Sequence, residues 1–276
     1  MTDDALARIA AALDRLSPPP PPAADPRAAP AYLWDGKGLR AAHGFRPLPL
    51  DRLAGIDAQK AVLLANVRRL AAGHAAHDAL LWGARGAGKS ALVKAVVGAV
   101  QAEGAALALI EVAPDALATL PRLFAVIEGV PRAFVLFLDD LGFGEDSAAP
   151  RMLRSLLDGG AEARPANARL IVTANRRHLV PRDLAEQDSA INPRDVVDDK
   201  LALADRFGLS LGFHVADQET YLAMVAGYAQ AMGVPFDPAD AVQWATVRGS
   251  RSGRIAWQYA VELAGRHGLP DPAARR

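Results

Sequence analysis

No cysteine occurs among the 276 residues, which excludes disulfide staples and thiolate metal sites and fits a reducing compartment. No apolar run approaches the ~20 residues that a membrane-spanning helix needs. The opening Met1-Thr2-Asp3-Asp4 is acidic where a secretion signal is basic, so a cytoplasmic protein without a membrane partner is expected. Net charge is also missing, because 31 basic residues balance 31 acidic ones. That balance argues against a broadly basic nucleic-acid coat and leaves a local basic patch open. Aromatic residues are sparse at 6%, yet hydrophobic residues make up 51%, much of it alanine, enough for a helix-rich core. The length suits one core with a small satellite, or two modest domains.

What is present is concentrated in Leu80-Leu81-Trp82-Gly83-Ala84-Arg85-Gly86-Ala87-Gly88-Lys89-Ser90, which fits G-x-x-x-x-G-K-[ST] at every fixed position. Ala79 to Trp82 read as the end of a buried strand, and Ala91 to Val100 as a helix. Gly83, Gly86 and Gly88 let the backbone curl until successive N–H groups form an anion nest. The positive end of the following helix adds to that field. Lys89 is placed to hold the β- and γ-phosphates, and the Ser90 hydroxyl to hold Mg²⁺. Gly83 to Ala91 are thus the expected contacts to a nucleoside triphosphate.

Around this loop the chain alternates strands and helices. Ala106–Val112, Phe134–Leu138, Arg169–Thr173 and Leu209–Phe213 read as further strands, with helices over Ala116–Ile127 and Met152–Leu157. Alternation of this kind predicts a parallel sheet with helices on both faces. From Asp217 onward the pattern is helical: Gln218–Met232 with Asp217 as its cap, Pro238–Val247, and Ser252–His267, a small lid. Ahead of the core, Leu6, Ile9, Leu13 and Leu16 stripe one short helix, which must dock on the core, a neighbouring subunit or a partner. A stiff spacer with five consecutive prolines follows. Tyr32–Pro49 reads as irregular, anchored by Trp34 and Phe45, and Glu186–Asp199 as a polar surface loop. The expected divisions are 1–16 amphipathic helix, 17–30 spacer, 31–214 nucleotide-binding core and 215–276 lid.

Two acids stand where the continuous apolar run Phe134–Leu138 ends, at the carboxyl tip where open α/β sheets bind ligands. Asp139 is expected to hold Mg²⁺, and Asp140 to polarise the attacking water. The neighbouring strand ends in Thr173-Ala174-Asn175, and Asn175 is placed to hold that water or the γ-phosphate, or else to cap the next turn. Gly55 and Ile56, just upstream of the loop, are candidates to cover the adenine ring. Arg206, Arg251 and Arg254 can serve as guanidinium contacts to a γ-phosphate or as surface ion pairs.

These features in this order resemble the AAA+ ATPases. They are the phosphate loop, Asp139-Asp140, Asn175, Arg206-Phe207 and Gly249-Ser250-Arg251. Within that superfamily the chain is most similar, over roughly Tyr32–His267, to an uncharacterised bacterial family of predicted ATPases. The resemblance implies a P-loop three-layer αβα fold with a helical lid. It further implies Asn175 as sensor 1, Arg206 as an arginine finger reaching a neighbour's nucleotide, and Arg251 or Arg254 as sensor 2. Ligands would be ATP or ADP with Mg²⁺, in a homo-oligomeric ring or filament, a hexamer among the sizes allowed, acting on a protein client or on DNA. Two departures bear on function. Many members carry Glu where Asp140 stands, and the shorter acid predicts slow or partner-stimulated turnover. Ala113-Pro114-Asp115-Ala116-Leu117 also lacks the aromatic-hydrophobic-Gly loop of unfoldases, for which Phe143-Gly144 is a less well-placed substitute. An ATP-gated binding module that grips protein or single-stranded DNA is the alternative. A small-molecule kinase leaves Arg206 and the helical C-terminal region unexplained.

Overall fold

The computed structural model describes residues 23–141, 149–159, 164–175 and 205–270, with Arg8 and Ala12 alone ahead of them. The expected N-terminal helix, the proline run, Phe143-Gly144, Arg176-Arg177 and the polar loop Glu186–Asp199 lie outside the described residues.

Strands β1 (Ala31–Trp34), β2 (Leu39–Ala41), β3 (Ala79–Gly83), β4 (Leu107–Val112), β5 (Ala133–Leu138), β6 (Ala168–Asn175) and β7 (Leu209–Phe213) form one seven-stranded sheet. Its order is β2-β1-β4-β5-β6-β3-β7, and every neighbouring pair is parallel except β1 with β2. The centre falls on β5, whose Ala-Phe-Val-Leu-Phe-Leu is buried at every position, as a strand covered on both faces requires. Side-chain alternation divides the core into two layers. Val135, Phe137 and Ile171 pack beneath α1 (Asp57–Ala71) and α2 (Lys89–Ala102). Leu136, Leu138, Leu170 and Val172 pack on the other face beneath α3 (Leu120–Ile127) and α4 (Ala149–Leu157). Each such Leu, Ile or Phe contributes about 1.5–3 kcal/mol by leaving water. The parallel αβα sandwich is the architecture the alternating pattern predicts.

Two local expectations are corrected. The stretch expected to be irregular, Tyr32–Pro49, contains β1 and β2. Ala31–Trp34 is too short for periodicity to mark it, and it becomes a strand because β4 offers an open parallel edge. Trp34 is nevertheless the expected anchor, buried with its indole N–H donating to Thr119 Oγ1 at 2.8 Å. The single helix expected over Ala116–Ile127 is instead a 3-10 segment, Pro114–Thr119, followed by α3. Pro121 lacks an N–H and its ring would clash inside a longer helix, so the α-helix must begin beside it. Residues 24–30 are fastened to the sheet edge. Ala24 N donates to Leu39 O at 2.8 Å, and Arg132 donates to the Pro26 and Arg27 carbonyls.

Beyond β7, helices α5 (Gln218–Met232), α6 (Pro238–Val247) and α7 (Gly253–Arg266) close around their own core of Tyr221, Val225, Ala241, Tyr259 and Leu263. Asp217, Asp237 and Ser252 cap the three N-termini through their side chains. Asp240 on α6 accepts from Tyr259 Oη at 3.0 Å and Arg266 Nη1 at 2.6 Å, both on α7. These donors, Arg266 first, hold its carboxyl below the ordinary 3.8. A lowered carboxyl pKa stabilises the fold above the unfolded value, and that contribution is lost as pH falls through the folded one. Arg266→Ala is therefore expected to move the acid unfolding midpoint of the lid to higher pH while leaving neutral-pH circular dichroism unchanged. Melting curves between pH 3 and 7 check it.

Candidate nucleotide-binding site

The register of the sheet builds the site. On β5 the row that faces α2 runs Val135, Phe137 and then Asp139; on β6 it runs Ile171, Thr173 and Asn175. Pairing of Phe137 with Ile171 and Leu138 with Val172 sets the two strand tips side by side. Polar residues therefore replace apolar ones on one face, at the carboxyl end, next to the start of α2.

That start is the phosphate loop. Gly83, Gly86 and Gly88 have φ of 135°, 75° and 91°, values that favour glycine. Gly83 is further constrained because a Cβ there would lie 1.9 Å from Phe213 O, where β7 ends. Gly88 is the N-cap of α2 and supplies no side-chain cap, so no side chain screens the helix's first N–H groups from an anion. Lys89 is buried, and its ammonium donates to the Gly83 and Ala84 carbonyls at 2.8 Å each, which curls the loop around it. Burial pushes the Lys89 ammonium below the ordinary lysine range, while the Asp140 and Asp139 carboxylates draw it back up.

The acids converge on this loop. Ser90 Oγ donates to Asp139 Oδ1 at 2.5 Å, and Thr173 Oγ1 donates to the same oxygen at 2.7 Å. Asn175 Nδ2 donates to Asp140 Oδ1 at 2.5 Å. Asp140 is the one described non-glycine residue with positive φ, 50°, a conformation that aspartate tolerates better than most. Ser90 and Asp139 thus offer a hydroxyl and a carboxylate oxygen side by side, hard donors of the kind Mg²⁺ takes. Among the described residues no group of three or more His, Asp or Glu offers a competing all-protein metal site.

Between core and lid lies a cleft of about 260 Å³. Gly55 and Ile56, the expected adenine contacts, line it with Ala84, Arg85, Ala87 and Arg251. Thr220 and Met224 of α5, with Ser252 and Gly253 at the start of α7, form the lid wall. The lid touches the loop directly, since Gly253 N donates to Gly86 O at 3.1 Å. Arg254 is exposed, with its Cβ beside Gly86.

The structure does not bring Arg206 to these residues. It precedes the N-terminal end of β7, at the opposite end of the parallel strands, and donates to Asp158 Oδ1 at 2.6 Å. Within this chain Arg206 therefore stands away from the phosphate loop and the two acids. Sequence alone did not single out the lid-wall residues Thr220, Met224 and Ser252, or Thr173.

A phosphate loop on β3–α2, acids at the tip of the adjacent-but-one strand and a helical lid beside the loop give the chain the fold of the AAA+ P-loop NTPases. The chain belongs to the family described as "Protein of unknown function (DUF815)", whose model matches residues 27–267. Among solved structures it is similar to the Thermotoga maritima RuvB Holliday junction branch migration motor, at 19% identity and a TM-score of 0.51. That match covers 82% of this chain and 68% of RuvB. The Aeropyrum pernix ORC1 protein, solved in complex with DNA, matches at 17% identity and a TM-score of 0.53, covering 78% of this chain and 61% of ORC1. Identities this low establish the shared fold. Among curated proteins no significant relative matches the chain.

Proposed function

We propose that the protein binds and hydrolyses Mg²⁺–ATP at an interface between subunits, and that the nucleotide cycle remodels or gates a macromolecular partner. The observation that carries this reading is the convergence of Lys89, Ser90, Asp139, Asp140 and Asn175 on one strand-tip cleft beside an uncapped helix start. Lys89 and the loop amides would bind the triphosphate. Mg²⁺, when bound, would neutralise phosphate charge as it develops. Ser90 and Asp139 are the residues that would hold it. Asp140 would accept a hydrogen bond from the attacking water, and Asn175 orients the Asp140 carboxylate for that task. Gly55 and Ile56 would cover the base, while Arg251, or Arg254, would report phosphate occupancy to the lid. Arg206 would act on the neighbouring subunit's γ-phosphate after leaving Asp158.

Asp140→Asn keeps size and shape but removes the acceptor charge, so it is expected to bind ATP within a few-fold of wild type. Its phosphate release should fall by roughly a hundredfold or more. Phosphate release and ATP titration on the same preparation check both halves. Undiminished turnover would remove Asp140 from the mechanism. Capture experiments with this ATP-trapped form also address the client.

A further inference from the structure

Thr173 is buried to 1% exposure, and its polar contacts all reach the segment that carries the two acids. Its hydroxyl donates to Asp139 Oδ1 and accepts from Asp140 N, both at 2.7 Å. Its carbonyl accepts from Leu141 N at 2.9 Å. Three consecutive residues beyond β5 are thus fastened to one residue of β6. In a regular strand, successive N–H groups point to opposite sides. The N–H groups of Asp140 and Leu141 instead both reach Thr173, and the chain must turn between them, which accounts for the positive φ of Asp140. The same Asp139 oxygen also accepts from Ser90 Oγ, so two hydroxyls converge on it.

We propose that Thr173 is a positioning residue for the magnesium site: its hydroxyl sets the rotamer of Asp139 and the backbone turn at Asp140, so that both acids face the triphosphate together. A valine is nearly the same shape and removes both hydroxyl bonds, whereas a serine keeps them. This inference rests on the Mg²⁺–nucleotide reading of the site. A residue that merely filled space would be satisfied by valine and indifferent to the hydroxyl.

The test is equilibrium binding of a fluorescent methylanthraniloyl-ATP in EDTA and across a Mg²⁺ titration, with steady-state kinetics alongside. Thr173→Val is expected to bind the analogue in EDTA within about twofold of wild type. Its Mg²⁺ midpoint should rise roughly tenfold to a hundredfold, the usual cost of losing a partner that orients a metal ligand. kcat falls by a similar factor, with a smaller change in KM. Thr173→Ala, a second hydroxyl-free chain, shows the same rise, and Thr173→Ser returns the midpoint most of the way to wild type. A wild-type Mg²⁺ midpoint in Thr173→Val or Thr173→Ala, or a Thr173→Ser chain no better than Thr173→Val, would overturn the proposal. Absence of any Mg²⁺ effect on wild-type binding would instead defeat the site reading itself, so the two failures are distinct.

Discussion

Lys89→Ala loses tight ATP binding. The buried ammonium is the one lysine charge inside the loop, and without phosphate it satisfies the Gly83 and Ala84 carbonyls. Removing one member of a buried ion pair costs about 3–5 kcal/mol. At about 1.36 kcal/mol per power of ten, that is a loss of roughly a hundredfold to a few thousandfold in affinity. Calorimetric titration with Mg²⁺–ATP measures it, and a melting curve of the same variant separates a lost contact from a loosened loop. Retained micromolar affinity in a folded variant would withdraw the phosphate-loop assignment.

Arg206→Ala leaves ATP binding near wild type and cuts hydrolysis, because the guanidinium lies at the far end of the strands from its own chain's site. A guanidinium supplied to a neighbour's γ-phosphate is worth roughly a thousandfold or more in kcat. Mixing Arg206→Ala with Asp140→Asn then restores activity. Interfaces that join the intact acid of one chain to the intact finger of the other reach about a quarter of the total at equal mixing of a head-to-tail assembly. Either variant alone stays inactive. Mixtures no more active than their components would show that the finger does not act in trans. The Asp158 pair adds a control: Asp158→Ala removes the carboxylate that Arg206 must leave and should not lower turnover.

Much of this arrangement was legible in residue order because its determinants are local. The phosphate loop is one contiguous motif, and its flanks folded into β3 and α2 as the apolar run and following helical pattern required. The lid helices were legible from their helical patterns and, for the first, from its cap Asp217; the capping side chains of Asp237 and Ser252 emerge only in the structure. Asp139 and Asp140 stood out because the preceding run is apolar throughout, which only a central strand allows. What escaped was non-local. Ala31–Trp34 has a strand's composition but needs the edge of β4 to become one. Thr173 reads as an ordinary strand former until β6 is set beside β5, when its hydroxyl meets both acids. The tie from Gly253 to Gly86 joins residues distant in sequence, and nothing in either segment announces it. Arg206 illustrates the reverse case: family resemblance assigns it a nucleotide role, while the structure shows it donating to Asp158.

The central claim is that one curled amide loop and two strand-tip acids share a single magnesium triphosphate. Calorimetric titration of ATP into the wild-type chain, in Mg²⁺ and again in EDTA, tests it most directly. One saturable site per chain of micromolar or better affinity, weakened when Mg²⁺ is withdrawn, is the predicted result. No saturable binding, or binding indifferent to both Mg²⁺ and Lys89, would contradict it.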